Sequence, residues 1–255
     1  SYGNAKTARN DNSSRFGKFI RIHFTSSGKL AGCDIVSYLL EKSRITEQQE
    51  VERSYHIFYQ LIQPNGDDIC EGGLREKCHC STDIYDYIYV SQGKTTVASI
   101  DDNEELEYTE DAFNVLGFGA QEKFDCYMLT AGVMTCGGVE FKTKGRDDQA
   151  ECELIGPDTF PGKVAALMGV DPFQMIKAFC KPRIKVGTEW VTKGQTCVQA
   201  TNAVGGIARA IFDRVFKWLI EKYNDTLIDP TLKKANFCAV LDIAGFEIFE
   251  VIISI

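Results

Sequence analysis

The chain has 255 residues, of which 44% are hydrophobic, and it carries a formal net charge of −8 at neutral pH. This length and apolar content are sufficient for one large or two ordinary globular domains. The acidic balance argues against a nucleic-acid partner, which normally needs a basic face, so any acidic partner must meet a local basic patch. Neither a signal peptide nor an apolar run long enough for a membrane span is recognisable, so we expect no membrane partner.

Ten cysteines are scattered along the chain without the dense spacing of a secreted disulfide framework. This usage predicts reduced thiols and a cytoplasmic protein. The tightest group contains Cys70, Cys78 and Cys80, and it lacks the paired C-x2-C knuckles of a structural zinc site. We therefore interpret the group as ordinary thiols.

The first predicted strand follows a polar run, NDNSSR, at residues 10–15. In residues 19–24, Ile20, Ile22 and Phe24 alternate with Phe19, Arg21 and His23. This alternation of an apolar set with a more polar one is typical of a strand. A polar turn with Gly28 and Gly32 follows and predicts a hairpin.

Helical patterns occupy most of the middle of the chain. A T-x-x-Q capping box at Thr46 and Gln49 predicts the start of a helix that ends at Pro64. Residues 64–108 are predicted to be rich in loops and to end in a solvated acidic run. Further helices are predicted at residues 109–116, at 122–134, at 158–168, from Asp171 onward, and at about 202–223.

Two strand patterns lie on either side of the longest predicted helix. The segment KPRIKVGTEWVTKG at 181–194 alternates across a Gly-Thr turn and predicts a two-stranded finger, whose basic edge carries Lys181, Arg183 and Lys185. The segment ANFCAVLDI at 235–243 is apolar and β-rich, which predicts a strand buried on both faces of a parallel sheet.

An aspartate at the end of such a strand, followed closely by a glycine, is typical of phosphate-loop nucleoside triphosphatases, which place a Mg²⁺-organising carboxylate and a γ-phosphate contact there. Asp242 and Gly245 fit these two roles. The polar run supplies matching groups, because serine hydroxyls suit Mg²⁺, asparagine amides can donate to phosphate, and Arg15 needs an anionic partner such as Glu247.

Together, N-x-N-S-S-R-F-G-K-F-I at 10–20 and D-I-A-G-F-E at 242–247 closely resemble switch I and switch II of the myosin motor domain, most like a conventional, striated-muscle class II heavy chain. Kinesins share related motifs, but the long separation between the two segments fits the large myosin insertion. Four more segments are similar to the upper 50 kDa region of the same family, in the expected order, at 39–46, 52–61, 185–195 and 212–224.

The resemblance implies ATP and Mg²⁺ as ligands of the polar run. Ser14 would be a Mg²⁺ ligand and a nucleotide contact, and Ser13 would place its hydroxyl beside the attacking water and the nucleotide. Asn10 and Asn12 would contact the nucleotide phosphates.

The resemblance also implies roles for the second switch. Asp242 would support the Mg²⁺ shell, and Gly245 would meet the γ-phosphate as a nucleotide-binding and catalytic residue. Arg15 and Glu247 would form a catalytic latch between the switches. Lys181, Arg183 and Lys185 would lie on the loop that meets the actin filament.

The implied fold is α/β, a partial phosphate-loop NTPase of the myosin motor type. Central-sheet strands are expected at 1–36 and 236–249, and a mainly helical, upper 50 kDa-like region is expected at 37–235, with the actin-facing hairpin at about 181–195. Residues 250–255 depart from the family, and we interpret them as an aberrant or truncated tail. The motif G-x-x-x-x-G-K-[ST] is not found, since Ile88 replaces the first glycine before Gly93-Lys94-Thr95.

We therefore expect a fragment of a cytoplasmic, cytoskeletal motor, in a myosin filament or myofibril. The complete motor is expected to be an actin-activated Mg²⁺-ATPase that moves along actin, and this fragment alone is expected to be inactive. Light chains and a second heavy chain are expected to bind only parts outside this sequence. Two alternatives stay open: a non-catalytic actin-binding or structural fragment without a phosphate loop, and a truncated product without a stable fold.

Overall fold

The computed structural model describes residues 1–143, 149–153 and 155–243. The predicted roles of Gly245 and Glu247, and the predicted tail at 250–255, lie outside these described residues. Within the described ranges, no helix has the length and apolar character needed to cross a membrane.

Nine strands and seven α-helices are found among the described residues. The strands are β1 (Asn4–Ala5), β2 (Ser13–Ser14), β3 (Gly17–Phe24), β4 (Leu30–Tyr38), β5 (Lys142–Thr143), β6 (Ala150–Glu151), β7 (Arg183–Val186), β8 (Glu189–Thr192) and β9 (Asn236–Asp242). The α-helices are α1 (His56–Gln60), α2 (Leu74–Lys77), α3 (Asp102–Val115), α4 (Ala120–Thr135), α5 (Phe160–Met168), α6 (Pro172–Cys180) and α7 (Cys197–Thr226).

The largest sheet has the order β4-β3-β9, and β3 is antiparallel to both neighbours. The predicted hairpin between β3 and β4 is confirmed, and Gly28 in its turn has a φ of 80°, in the left-handed region that favours glycine. The prediction of a parallel, doubly buried last strand is wrong. β9 is antiparallel to β3 and every one of its residues is exposed, because among the described residues it pairs on one edge alone and no helix covers its faces.

The end of α7 fixes the outer edge of this sheet. Asn224 uses its side chain to bind the backbone of Ile35 in β4, donating to the carbonyl at 2.8 Å and accepting from the N–H at 2.7 Å. The Leu227 carbonyl accepts a further hydrogen bond from the N–H of Cys33 at 2.9 Å. These contacts cover an edge strand that would otherwise expose backbone groups, and they join the sheet to the helical region.

The helical region packs around α7. This helix begins at a capping box formed by Thr196 and Gln199, and its 30 residues span about 45 Å, which is longer than the sequence predicted. Phe212 is fully buried at its centre, where its ring stacks on Tyr55 and Phe58 with centroid distances of 5.1 Å to each. Aromatic rings of this size bury large apolar areas, so this cluster anchors the core.

The predicted helix from the Thr46–Gln49 capping box is largely wrong. The observed α1 runs only from His56 to Gln60, and Thr46 instead follows a short 3-10 turn at Lys42–Ile45. The backbone groups just before α1 form hydrogen bonds with distant parts of the chain instead of with the next turn of a helix. The carbonyl of Glu52 accepts from the N–H of Lys94 at 2.7 Å, and the N–H of Arg53 donates to the carbonyl of Lys6 at 3.2 Å.

The acidic run was also assigned wrongly to a loop. It forms the first turns of α3, which therefore begins seven residues earlier than predicted. The side chain of Asp101 accepts hydrogen bonds from the N–H groups of Asn103 and Glu104, and acidic side chains in a first turn interact favourably with the helix dipole.

The predicted helices at 122–134, at 158–168 and from Asp171 are confirmed within about two residues. Gly32, which was predicted in the hairpin turn, instead lies in β4. Asp171 caps α6 by accepting from the N–H of Gln174 at 2.8 Å, and Pro172 is its first residue. The β7–β8 finger is antiparallel and exposed along its whole length. Cys78 is a buried thiol, and burial raises its pKa, which favours the uncharged form of an ordinary core cysteine.

Candidate functional site

The first part of the polar run, residues 10–12, belongs to a short loop at 6–12 between β1 and β2. Thr7 and Asn10 close this loop, because the N–H of Thr7 donates to the Asn10 carbonyl at 2.8 Å and the N–H of Asn10 donates to the Thr7 hydroxyl at 3.2 Å. The Asn10 carboxamide oxygen accepts from the N–H of Asn12 at 2.9 Å, which makes a local turn. Both asparagines are exposed, so their amides can reach a ligand.

The two serines lie immediately after this loop, in β2. Ser13 and Ser14 pair with Ala5 and Asn4 of β1, and the N–H of Arg15 bonds to the carbonyl of Gly3 at 2.8 Å. Backbone bonds along β1 give the two hydroxyls a defined position, while their half-buried state leaves them accessible.

Ser14 and Asp242 meet at one cation. The register of β3 and β9 places Lys18 directly opposite Asp242, and its ammonium lies 2.7 Å from Asp242 Oδ2. The same ammonium donates to Ser14 Oγ at 3.4 Å. The structure therefore brings together two residues that are far apart in sequence, and Lys18 is a member of the site that sequence reasoning missed.

This donor set fits Mg²⁺. A neutral hydroxyl and a carboxylate are hard oxygen ligands, and here both contact the Lys18 ammonium, whose place between them the ion would have to take. In the described part of the chain no three His, Cys, Asp or Glu side chains are grouped closely enough to hold a metal. Mg²⁺ does not need such a cage, because it commonly binds one or two protein oxygens together with substrate phosphates and water.

Arg15 lies between the serines and an acidic partner that the sequence analysis did not name. Its Nε donates to Glu41 Oε2 at 2.6 Å, and its Nη1 donates to Ser13 Oγ at 3.3 Å. Arg44 binds the same Glu41 carboxylate at 2.8 Å and pairs with the buried Glu52 at 2.9 Å. Burial opposes ionisation of Glu41, but hydrogen bonds from Arg44 and Arg15 outweigh it and lower its pKa.

The predicted Arg15–Glu247 latch involves a residue outside the described range, so it stays a prediction. If Glu247 pairs with Arg15, it must approach a guanidinium that already binds Glu41. Arginine has five N–H donors in a planar fork, so two carboxylates can bind it on different edges.

His56 is a further member that the sequence did not indicate. Its Nε2 lies 3.1 Å from Asn12 Oδ1, which also accepts from Asn4 Nδ2 at 2.9 Å. His56 begins α1, and nothing in the sequence connects it with a loop 44 residues earlier. The helical region therefore contacts the polar loop directly.

The finger is a separate surface. Arg183 and Lys185 alternate along β7 and share one face with Trp190 of β8, whose ring lies 5.6 Å from the Arg183 guanidinium. Lys181 is exposed just before the strand. The predicted basic edge is present, with an aromatic ring beside it.

A serine-bearing loop that converges with a strand-end aspartate is typical of nucleoside triphosphatases that sense a γ-phosphate. The family model described as the myosin head, the motor domain, matches residues 1–252. The chain therefore belongs to the myosin head family, a class of actin-based motors that bind nucleotide with Mg²⁺ and hydrolyse ATP.

Proposed function

We propose that this chain forms the nucleotide-sensing part of an actin-activated Mg²⁺-ATPase of the conventional, striated-muscle class II type. Residues 10–20 act as switch I and residues 242–247 as switch II. The observation that carries the proposal is the meeting of Ser14 and Asp242 on the Lys18 ammonium, which places the two proposed metal-organising oxygens beside one positive charge.

Mg²⁺ bound with ATP would neutralise charge on the phosphates during in-line attack by water. Ser14 would hold the ion, and Asp242 would support it directly or through water. Ser13 would orient the attacking water, with its own hydroxyl steadied by Arg15. Asn10 and Asn12 would donate to phosphate oxygens, and such fixed donors stabilise developing negative charge without reorganising.

Movement would follow from closure of the two switches around the γ-phosphate. Gly245 would bring its N–H to that phosphate, and Glu247 would pair with Arg15 to shut the site. Myosin light chains and a second heavy chain would bind the parent heavy chain elsewhere, and the assembly would work in the cytoskeleton, in a myosin filament or myofibril.

An actin cosedimentation assay tests the motor against the non-catalytic alternative. An intact heavy chain carrying this sequence should pellet with actin filaments in the absence of nucleotide. It should be released when MgATP is added, because ATP binding closes the switches and the closed state has a lower affinity for actin. Binding that is indifferent to ATP would support the alternative, a structural actin-binding protein.

The basic finger should guide the encounter with actin. Replacing Lys181, Arg183 and Lys185 together by Ala in the intact motor should lower the association rate about tenfold at low salt, with little change in dissociation, since exposed charges act mainly on encounter. The difference should shrink above about 0.15 M salt because of screening. Stopped-flow binding to actin at two ionic strengths measures both effects.

A matched control removes three exposed lysines from another part of the surface, namely Lys29, Lys233 and Lys234. The net charge change is the same, so this variant should bind actin at nearly the normal rate if location matters. Equal slowing of both variants would mean that overall charge, and not the finger, steers association.

A further inference from the structure

The carboxamide oxygen of Asn12 contacts two side chains, those of Asn4 and His56. Asn4 Nδ2 donates to Asn12 Oδ1 at 2.9 Å, and His56 Nε2 lies 3.1 Å from the same atom. Asn12 is itself exposed at the end of the loop at 6–12, which we call the switch loop, so its other polar atom, the Nδ2 amide, is the one that can reach a ligand.

The direction of the His56 contact follows from its other nitrogen. Nδ1 lies 2.8 Å from Nη2 and 3.2 Å from Nε of Arg53. A guanidinium has donors only, so Nδ1 must accept, and in a neutral ring the proton then sits on Nε2. His56 Nε2–H consequently donates to Asn12, and the group of Asn12 that receives it must be the oxygen.

Arg53 is fixed in place by the core. It is fully buried, it donates to both oxygens of Asp102 at 2.6 and 2.8 Å, and its guanidinium lies 4.2 Å from the centre of the Tyr59 ring. Burial, together with the Arg53 charge, lowers the pKa of His56 to about 3, so the ring is neutral at physiological pH. A continuous row of hydrogen bonds thus runs from the first turn of α3 to the loop.

We propose that His56 is a positioning residue of the switch loop, which holds the Asn12 carboxamide with its oxygen inward and its Nδ2–H2 toward the nucleotide phosphates. This inference rests on the proposed function, in which Asn12 faces those phosphates. The orientation matters because a flipped amide would present an oxygen to a phosphate and repel it, whereas the fixed one presents two donors.

Two substitutions separate positioning from packing. His56→Gln can place an amide near the position of Nε2 and retain a donor to Asn12. His56→Asn has an acceptor near the position of Nδ1, so it retains the Arg53 contact but is too short to reach Asn12. In the intact motor, His56→Asn should weaken binding of a fluorescent ATP analogue about ten- to a hundredfold, the range for a lost hydrogen bond to a charged group.

His56→Gln should keep nucleotide affinity within about threefold of the wild type. If His56 only accepts from Arg53 and fills space, the order is reversed, with His56→Asn the milder change. Thermal unfolding of both variants reports packing separately. The exposed His79→Asn serves as a control for loss of a histidine, and it should leave nucleotide affinity unchanged.

A double-mutant cycle with Asn12→Ala decides whether His56 acts through Asn12. If it does, the variant with both Asn12→Ala and His56→Asn binds the ATP analogue no more weakly than Asn12→Ala alone. Additive losses would overturn the positioning role while leaving Asn12 as a nucleotide contact. Unchanged affinity in Asn12→Ala would instead remove the proposed phosphate contact itself, and the inference would fall with it.

Discussion

Replacing Arg15 by Glu in an intact motor is expected to abolish ATP hydrolysis while ATP binding stays largely intact. The Arg15 side chain is only 12% exposed and lies 2.6 Å from Glu41, so the substitution sets two carboxylates against each other where an ion pair stood. Breaking one side of a buried pair typically costs about 3–5 kcal/mol. The proposed latch puts this cost on the closed state in which hydrolysis occurs, and rates fall tenfold for each ~1.4 kcal/mol by which the reacting state is raised. Binding should survive because phosphate-loop groups supply most of it in this class of enzyme.

Glu247→Arg should have the same effect if the latch exists. The double exchange, Arg15→Glu with Glu247→Arg, should recover part of the chemical step because the opposite charges meet again. Recovery is expected to be incomplete, since the carboxylate introduced at position 15 still faces Glu41. Adding Glu41→Gln should then raise the recovered rate, because it removes that repulsion.

The phosphate burst in the first turnover measures the chemical step in these variants. Arg75→Glu provides the matched control, because Arg75 also pairs with a carboxylate, that of Asp67, at a half-buried position in a different part of the chain. It should keep a normal burst. A normal burst in both Arg15→Glu and Glu247→Arg would show that the latch is not needed for hydrolysis.

The elements that the sequence predicted well are those defined by local signals. The Asp171-Pro172 start of α6 and the turn of the β7–β8 finger depend on residues that act on their own backbone, so a single sequence reveals them. The short α1 and the early start of α3 were missed for different reasons. Before α1, hydrogen bonds to distant backbone groups override the helical pattern of the sequence. At the start of α3, acidic residues were interpreted as a loop although they favour the N-terminus of a helix.

The same distinction applies to the site. Serines and an aspartate in recognisable motifs could be assigned from the sequence, but their partners Lys18, Glu41 and His56 could not. Lys18 meets Asp242 only because of the strand register between β3 and β9, and His56 meets Asn12 only because α1 packs beneath the loop. A pairing that depends on tertiary register leaves no local pattern, since neither residue alone requires the other.

Ser14→Ala should lower Mg²⁺-dependent hydrolysis in the intact motor by about a hundredfold or more, which is typical when a preorganised group that stabilises transition-state charge is removed. The hydroxyl of Ser14 already contacts a cation at 3.4 Å, so its removal also weakens the link between the loop and β9. Ser27→Ala, in the exposed turn between β3 and β4, should hydrolyse ATP normally.

The most direct test of the account is a metal-specificity measurement on Ser14→Cys. A sulfur ligand is softer than a hydroxyl and suits Mg²⁺ poorly, while Mn²⁺ tolerates it better. If Ser14 binds the metal, the phosphate burst of Ser14→Cys should be nearly absent with Mg²⁺ and return to within about tenfold of the wild type with Mn²⁺, although the wild type is active with both. Equal activity of Ser14→Cys with the two metals, whether high or low, would contradict the placement of Ser14 and Asp242 at a shared metal and nucleotide site.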